Sequence, residues 1–130
     1  MTRPSTPKPT EAELGILNVL WQHGPSTVRE VQARLNATKE VGYTTALKLL
    51  QIMTDKGLVT RDESQRSHIY QAAYMQEVTQ QQLVSDLLER AFAGSAGKLV
   101  LQALSSERAS AEELEEIRRL LDKLEGEEKA

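Results

Sequence analysis

Among its 130 residues the chain has no cysteine, which removes disulfides, thiolate metal sites and cysteine nucleophiles together and leaves the redox compartment open. Imidazole is almost as scarce. His23 and His68 are the two histidines, and neither has a carboxylate or second histidine at ligand spacing. A Gly-rich phosphate loop, a His-Glu-x-x-His helix and a Gly-x-Ser-x-Gly elbow are all missing. These absences argue against an enzyme and give no reason to expect a metal or any other cofactor. No apolar run approaches the ~18 residues of a membrane span, and Met1-Thr2-Arg3-Pro4-Ser5-Thr6-Pro7 lacks the apolar core of a signal peptide. The expectation is a cytoplasmic protein with no membrane partner.

A chain of this length holds one compact domain, or a small domain with an appended helical module. Its formal net charge of −3 is unevenly placed. Residues 1–75 carry nine Lys/Arg against seven Asp/Glu, a net of +2, whereas residues 76–130 carry seven against twelve, a net of −5. Charge acts where it sits and not only through its sum.

Residues 1–9 contain three prolines and no apolar period, the pattern of a flexible arm in which Arg3 and Lys8 can touch phosphate or simply be solvated. Thr10-Glu11-Ala12-Glu13 then has capping-box spacing, in which each side chain satisfies the other residue's backbone N–H. It predicts a first helix with Leu14, Leu17, Leu20 and Trp21 on its apolar face, ended by His23-Gly24-Pro25. Thr27-Val28-Arg29-Glu30 repeats the spacing and opens a second helix of about three turns, with Val28, Val31 and Leu35 inward and an end near Asn36. A polar connection leads to a third helix from Tyr43 to Lys56, closed by Gly57. Its Ala46, Leu49, Leu50 and Met53 form the buried stripe, leaving Thr44, Thr45, Leu47, Lys48 and Gln51 opposite.

After Gly57 the period changes from 3.6 to 2. Leu58–Arg61 and His68–Ala72 read as strands around a polar turn. Three helices followed by a hairpin make a winged helix-turn-helix, because two strands alone must pack on something. From Gln76 onward the pattern is helical: an apolar stripe with Val78, Leu83, Leu87 and Phe92, a break at the glycines after it, and a segment with Leu99, Val100, Leu101 and Leu104. A third capping-box spacing, Ser110-Ala111-Glu112-Glu113, precedes Leu114, Ile117, Leu121 and Leu124 in the steps of a helix-pairing seam. These stripes lack a globular partner in the sequence. Either they fold back on the first domain or two chains pair; pairing buries more apolar area, so Leu83, Leu87, Leu99, Leu101, Leu104, Leu114, Ile117, Leu121 and Leu124 are the candidate dimerisation residues. The fold class is therefore mainly α with a small β-hairpin: a flexible arm over 1–9, a winged helix-turn-helix domain over 10–74, a C-terminal helical dimerisation module over 75–125 and a disordered tail over 126–130.

The chain resembles the penicillinase-repressor family, the BlaI/MecI/CopY-type repressors. The matching residues are Pro9-Thr10-Glu11-Ala12-Glu13-Leu14 with Val19-Leu20-Trp21, then Tyr43-Thr44-Thr45-Ala46-Leu47-Lys48-Leu49-Leu50, Lys56-Gly57-Leu58-Val59 and Ser110-Ala111-Glu112-Glu113-Leu114. The resemblance implies a homodimer that holds an inverted-repeat operator in double-stranded DNA and releases it on a signal. Two departures matter. The copper-sensing members use C-terminal cysteines, absent here, and the members cut by a membrane sensor protease have an Asn-Phe bond where this chain has Gln102-Ala103, which puts that protease partner in question.

A helix fits the major groove, where every base pair shows a distinct set of donors, acceptors and methyls. The exposed face of the third helix is therefore the expected reader, through Thr44, Thr45, Lys48 and Gln51. Leu47 either meets thymine methyls or completes the core, and Tyr43 either donates to a phosphate or covers the neighbouring helix. Arg29 and Arg66 are candidates for phosphate contacts, which position a protein without choosing its site. The competing reading is a winged-helix module that binds protein; an apolar or acidic third-helix face would favour it, and this face carries hydroxyls, an amide and a lysine.

Overall fold

The computed structural model describes residues 7–129, and Lys129 by its backbone alone. Arg3 and the rest of the arm before Pro7 lie outside the described residues. The elements are α1 (Glu11–His23), α2 (Val28–Leu35), α3 (Tyr43–Lys56), β1 (Val59–Asp62), β2 (Ile69–Ala72), α4 (Gln76–Ala91), α5 (Ala96–Ser106) and α6 (Ala111–Lys129).

Three helices, α1, α2 and α6, begin at capping boxes, whereas α3 begins at Gly42 with no side-chain cap. Both halves of the capping box are formed at Thr10/Glu13 and at Thr27/Glu30, and at Ser110 the backbone N–H donates to Glu113 Oε1 at 2.9 Å while the Glu113 N–H donates back to Ser110 Oγ at 3.0 Å. Gly57, at φ +81°, ends α3 in a left-handed turn that an L side chain would strain. There the Leu58 N–H is taken by the Met53 carbonyl at 2.9 Å. Leu58 thus belongs to the helix cap, and β1 starts one residue later than its apolar pattern suggests. α2 has eight residues, nearer two turns than three.

The core joins Ile16, Leu17, Val19 and Leu20 of α1, Val28 and Val31 of α2, Ala46, Leu50 and Met53 of α3, and Leu58, Val59 and Tyr70 of the hairpin. α1 packs on α2, α3 and β2, so its buried arc is wider than one stripe and centres on Ile16 and Leu20, with Leu14 and Trp21 half-buried at its edges. β1 and β2 are antiparallel in the register Val59↔Ala72 to Asp62↔Ile69. A third strand-like segment supports them: the Ser26 N–H donates to the Tyr70 carbonyl at 2.9 Å and the Tyr70 N–H to the Ser26 carbonyl at 2.8 Å. The chain leaving the hairpin is pinned by the Trp21 indole N–H, which donates to the Tyr74 carbonyl at 2.9 Å.

The chain forms two compact units, one ending at Asp86 and the other beginning at Leu87. In the first, Thr79 of α4 is buried, and Lys8, expected in a flexible arm, pairs with Asp86 at 3.6 Å. In the second, no described side chain is fully buried. Leu99, Leu114 and Ile117 are half-buried, whereas Leu87, Leu101, Leu104, Leu121 and Leu124 are exposed, Leu101 by 68%. Gly94, at φ +80°, makes the turn between α4 and α5; Gly97, read as part of the break, lies inside α5. α6 runs on to Lys129, so residues 126–129, expected as a disordered tail, are helical. Extending a formed helix adds one hydrogen bond per residue fixed, which offsets the roughly 1 kcal/mol cost of Gly126. Among the described residues no helix is long and apolar enough to cross a membrane.

Candidate nucleic-acid interface

The face of α3 turned away from the core carries Thr44, Thr45, Lys48 and Gln51, all exposed. Their spacing sets them along one stripe about two turns long. What fixes this stripe is the connection before it. The Val41 N–H donates to Asn36 Oδ1 at 2.6 Å, the Gln32 amide donates to the Val41 carbonyl at 3.2 Å, and the Val41 side chain packs against the core. The other end of α3 is held from α1: the Lys56 ammonium lies 3.0 and 2.9 Å from the two carboxylate oxygens of Glu13, which is only 2% exposed. Burial alone would raise the Glu13 pKa, but the Thr10 N–H and Lys56 outweigh it and hold the carboxyl below its ordinary value. Both ends of α3 are thus fixed by polar contacts and its middle by Ala46, Leu50 and Met53.

Beside this stripe lies a concavity of about 200 Å³ lined by Thr27, Val28 and Arg29 from the start of α2, Tyr43 and Leu47 from α3, and Arg66, Ser67, His68 and Tyr70 from the hairpin. It gathers four of the residues singled out in the sequence: Arg29, Tyr43, Leu47 and Arg66. The Arg29 guanidinium lies 5.3 Å from the centroid of the Tyr43 ring, a cation–π contact. Tyr43, itself exposed, meets the neighbouring helix through Arg29, while Leu47 is half-buried and packs against the core.

His68 enters this group although its sequence context, a lone imidazole on a strand, gave it no partner. The strand expected from His68 starts one residue later, at Ile69, so Arg66, Ser67 and His68 reach the hollow from the end of the turn and no two-residue alternation marks them. Arg61, by contrast, is committed elsewhere, bridging Glu63 at 2.6 Å. In the turn, the Ser64 N–H donates to Asp62 Oδ1 at 2.9 Å and holds that carboxyl below its ordinary pKa. Among the described residues no group of three or more histidine and acidic side chains is placed to hold a metal ion. Gln102 and Ala103 lie on α5, both exposed.

Residues 9–123 match the family model described as penicillinase repressor. The transcriptional regulator BlaI of Mycobacterium tuberculosis is 30% identical over 88% of this chain and 83% of its own length. Among solved structures, the DNA-binding domain of the repressor BlaI superimposes with a TM-score of 0.51 at 22% identity, covering 58% of this chain and 93% of that one. The monomeric form of Bacillus licheniformis BlaI, solved in complex with the blaP half-operator, gives 0.50 at 23% identity, covering 57% and 90%. Both likenesses give the fold: a winged helix.

Proposed function

Since the chain belongs to the penicillinase-repressor family, whose members are winged-helix transcriptional repressors and not enzymes, we propose that it binds double-stranded DNA as a homodimer on a palindromic operator and leaves it when a signal acts. The observation that carries this reading is the exposed, polar face of α3 set beside a concavity holding two arginines. α3 enters the major groove, where Thr44, Thr45, Lys48 and Gln51 meet base edges. Tyr43, Arg29 and Arg66 stand at the phosphates on the hairpin side, and Leu47 holds α3 on the core, offering only its exposed edge to a thymine methyl. The half-operator complex of the Bacillus licheniformis relative supports DNA as the partner.

In this reading residues 10–74 are the DNA-binding domain and residues 75–125 the dimerisation module. Its apolar side chains, the exposed Leu87, Leu101, Leu121 and Leu124 above all, find their cover in a second copy. A two-fold dimer reads an inverted repeat whose half-site centres are separated by about one helical turn or a multiple of it. The acidic −5 portion stays away from the phosphates. The test is a selection of bound fragments from random DNA with the full-length protein, followed by gel shifts on the recovered sequence. A motif with a dyad is the expected result; no enrichment, or a motif without a dyad, would count against the proposal.

A further inference from the structure

Resting on the DNA-binding reading, we infer that Arg29, Tyr43, Arg66 and His68 form one cradle for a single phosphodiester of the DNA backbone, so that the start of α2, the start of α3 and the hairpin grip the same phosphate.

Four observations on the concavity lead there. Its lining contains two guanidinium groups and an imidazole, yet no aspartate or glutamate. Among the described residues neither Arg29 nor Arg66 is in an ion pair, whereas Lys8, Lys56 and Arg61 all are. Two like charges gathered in one hollow repel each other until an anion arrives, and a concave surface focuses their field on it. The Arg29 guanidinium lies over the Tyr43 ring, which steadies the fork of donors that matches phosphate geometry. Finally, Val28 and Arg29 are the first two residues of α2 and line the same hollow; their N–H groups have no intrahelical acceptor, and the helix dipole favours an anion at that end.

At about 200 Å³ the hollow is of a size for one phosphodiester group. His68, half-buried on the hairpin side, completes the ring with a nitrogen donor, and the Ser67 hydroxyl lies beside it. Because α3 and the hairpin are held to one phosphate, the depth of α3 in the groove and the placement of the hairpin are set together. His68 is thus a positioning residue for the readout by Lys48 and its neighbours.

The experiment uses the full-length protein on its selected operator, with fluorescence anisotropy across a salt series, for Arg29→Ala, Arg66→Ala, the double variant and His68→Ala. Sharing one phosphate predicts that each arginine variant weakens binding about tenfold and that the double variant is little worse than the weaker single. It also predicts that the slope of log affinity against log salt falls by about 0.9 per protomer in the singles and no further in the double. A methylphosphonate scan sharpens this: one backbone position per half-site should weaken the wild type and leave the double variant indifferent. His68→Ala should lose affinity in the wild type and nothing in the double-arginine background. Arg29→Lys, which keeps the charge and loses the fork, should recover the slope but only part of the affinity. Additive losses with a slope falling twice as far would mean separate phosphates and overturn the cradle while leaving DNA binding intact. If the wild type bound no DNA in the selection, the underlying reading would fail first.

Discussion

The two compact units of this chain solve the problem of apolar surface differently. Up to Asp86, helices and hairpin enclose twelve buried apolar side chains around Tyr70, Ile16 and Leu50. From Leu87 on, the helices are just as regular, yet their leucines stay at least partly open to water, with Leu121 and Leu124 each half exposed. The first unit is complete within one chain. The second has well-capped helices without a finished core, and a helix that leaves its apolar stripe uncovered gains little from tertiary packing, the main source of helical stability in proteins. In the proposed dimer, the difference separates what a single chain folds by itself from what a second copy completes.

The sharpest way to break this comparison is to remove leucines from each side. Leu50→Ala deletes a fully buried side chain and should cost about 2–5 kcal/mol, seen as an early denaturation midpoint that does not depend on protein concentration. Leu121→Ala combined with Leu124→Ala should leave the winged-helix half folded and instead lower the unfolding midpoint of the second unit, a midpoint that rises with protein concentration in the wild type. Equal, concentration-independent losses from both would show that the second unit is self-contained.

A smaller effect concerns the polar tie between α1 and α3. Glu13→Ala removes a capping partner of Thr10 and the carboxylate that Lys56 meets; Lys56 is 38% exposed and can turn to water, so the loss should be about 1–3 kcal/mol in chemical denaturation. Because the folded Glu13 pKa is depressed, its contribution is fully present above the unfolded carboxylate value of about 4.3 and fades as pH falls through the lower folded value. The wild type should therefore lose stability at acid pH more steeply than Glu13→Ala, and parallel pH profiles would remove the pair from the account.

Smaller still for the fold, but decisive for reading, is Lys48→Ala. An exposed side chain on α3 contributes little to stability, and its loss should relax specificity at one base pair by about 1–3 kcal/mol. Competition titrations against single-base operator variants check this. Equal weakening on the cognate site and on random DNA would assign Lys48 to the backbone.

Much of the winged-helix half was legible because its signals are local. Capping boxes at Thr10 and Thr27, the glycine after Lys56 and the change to a two-residue period each depend on a few neighbouring side chains. What escaped depends on residues far apart. The Ser26–Tyr70 bridge, the seating of Lys56 on Glu13 and the gathering of Arg29 with His68 join segments that only the fold brings together. The same reason explains why Leu47 and Tyr43 kept two roles each in the sequence: periodicity says which face a residue shares, and packing decides what that face meets. For the C-terminal helices the seam Leu114, Ile117, Leu121 and Leu124 was visible, but its partner is by this account on another chain.

The most direct test of that account is sedimentation equilibrium across the micromolar range for the full-length protein and for a fragment ending at Asp86. The account predicts twice the chain mass of 14.5 kDa for the full-length protein and a folded monomer for the fragment. A full-length chain that sediments as a monomer throughout, with its C-terminal helices still folded, would contradict it.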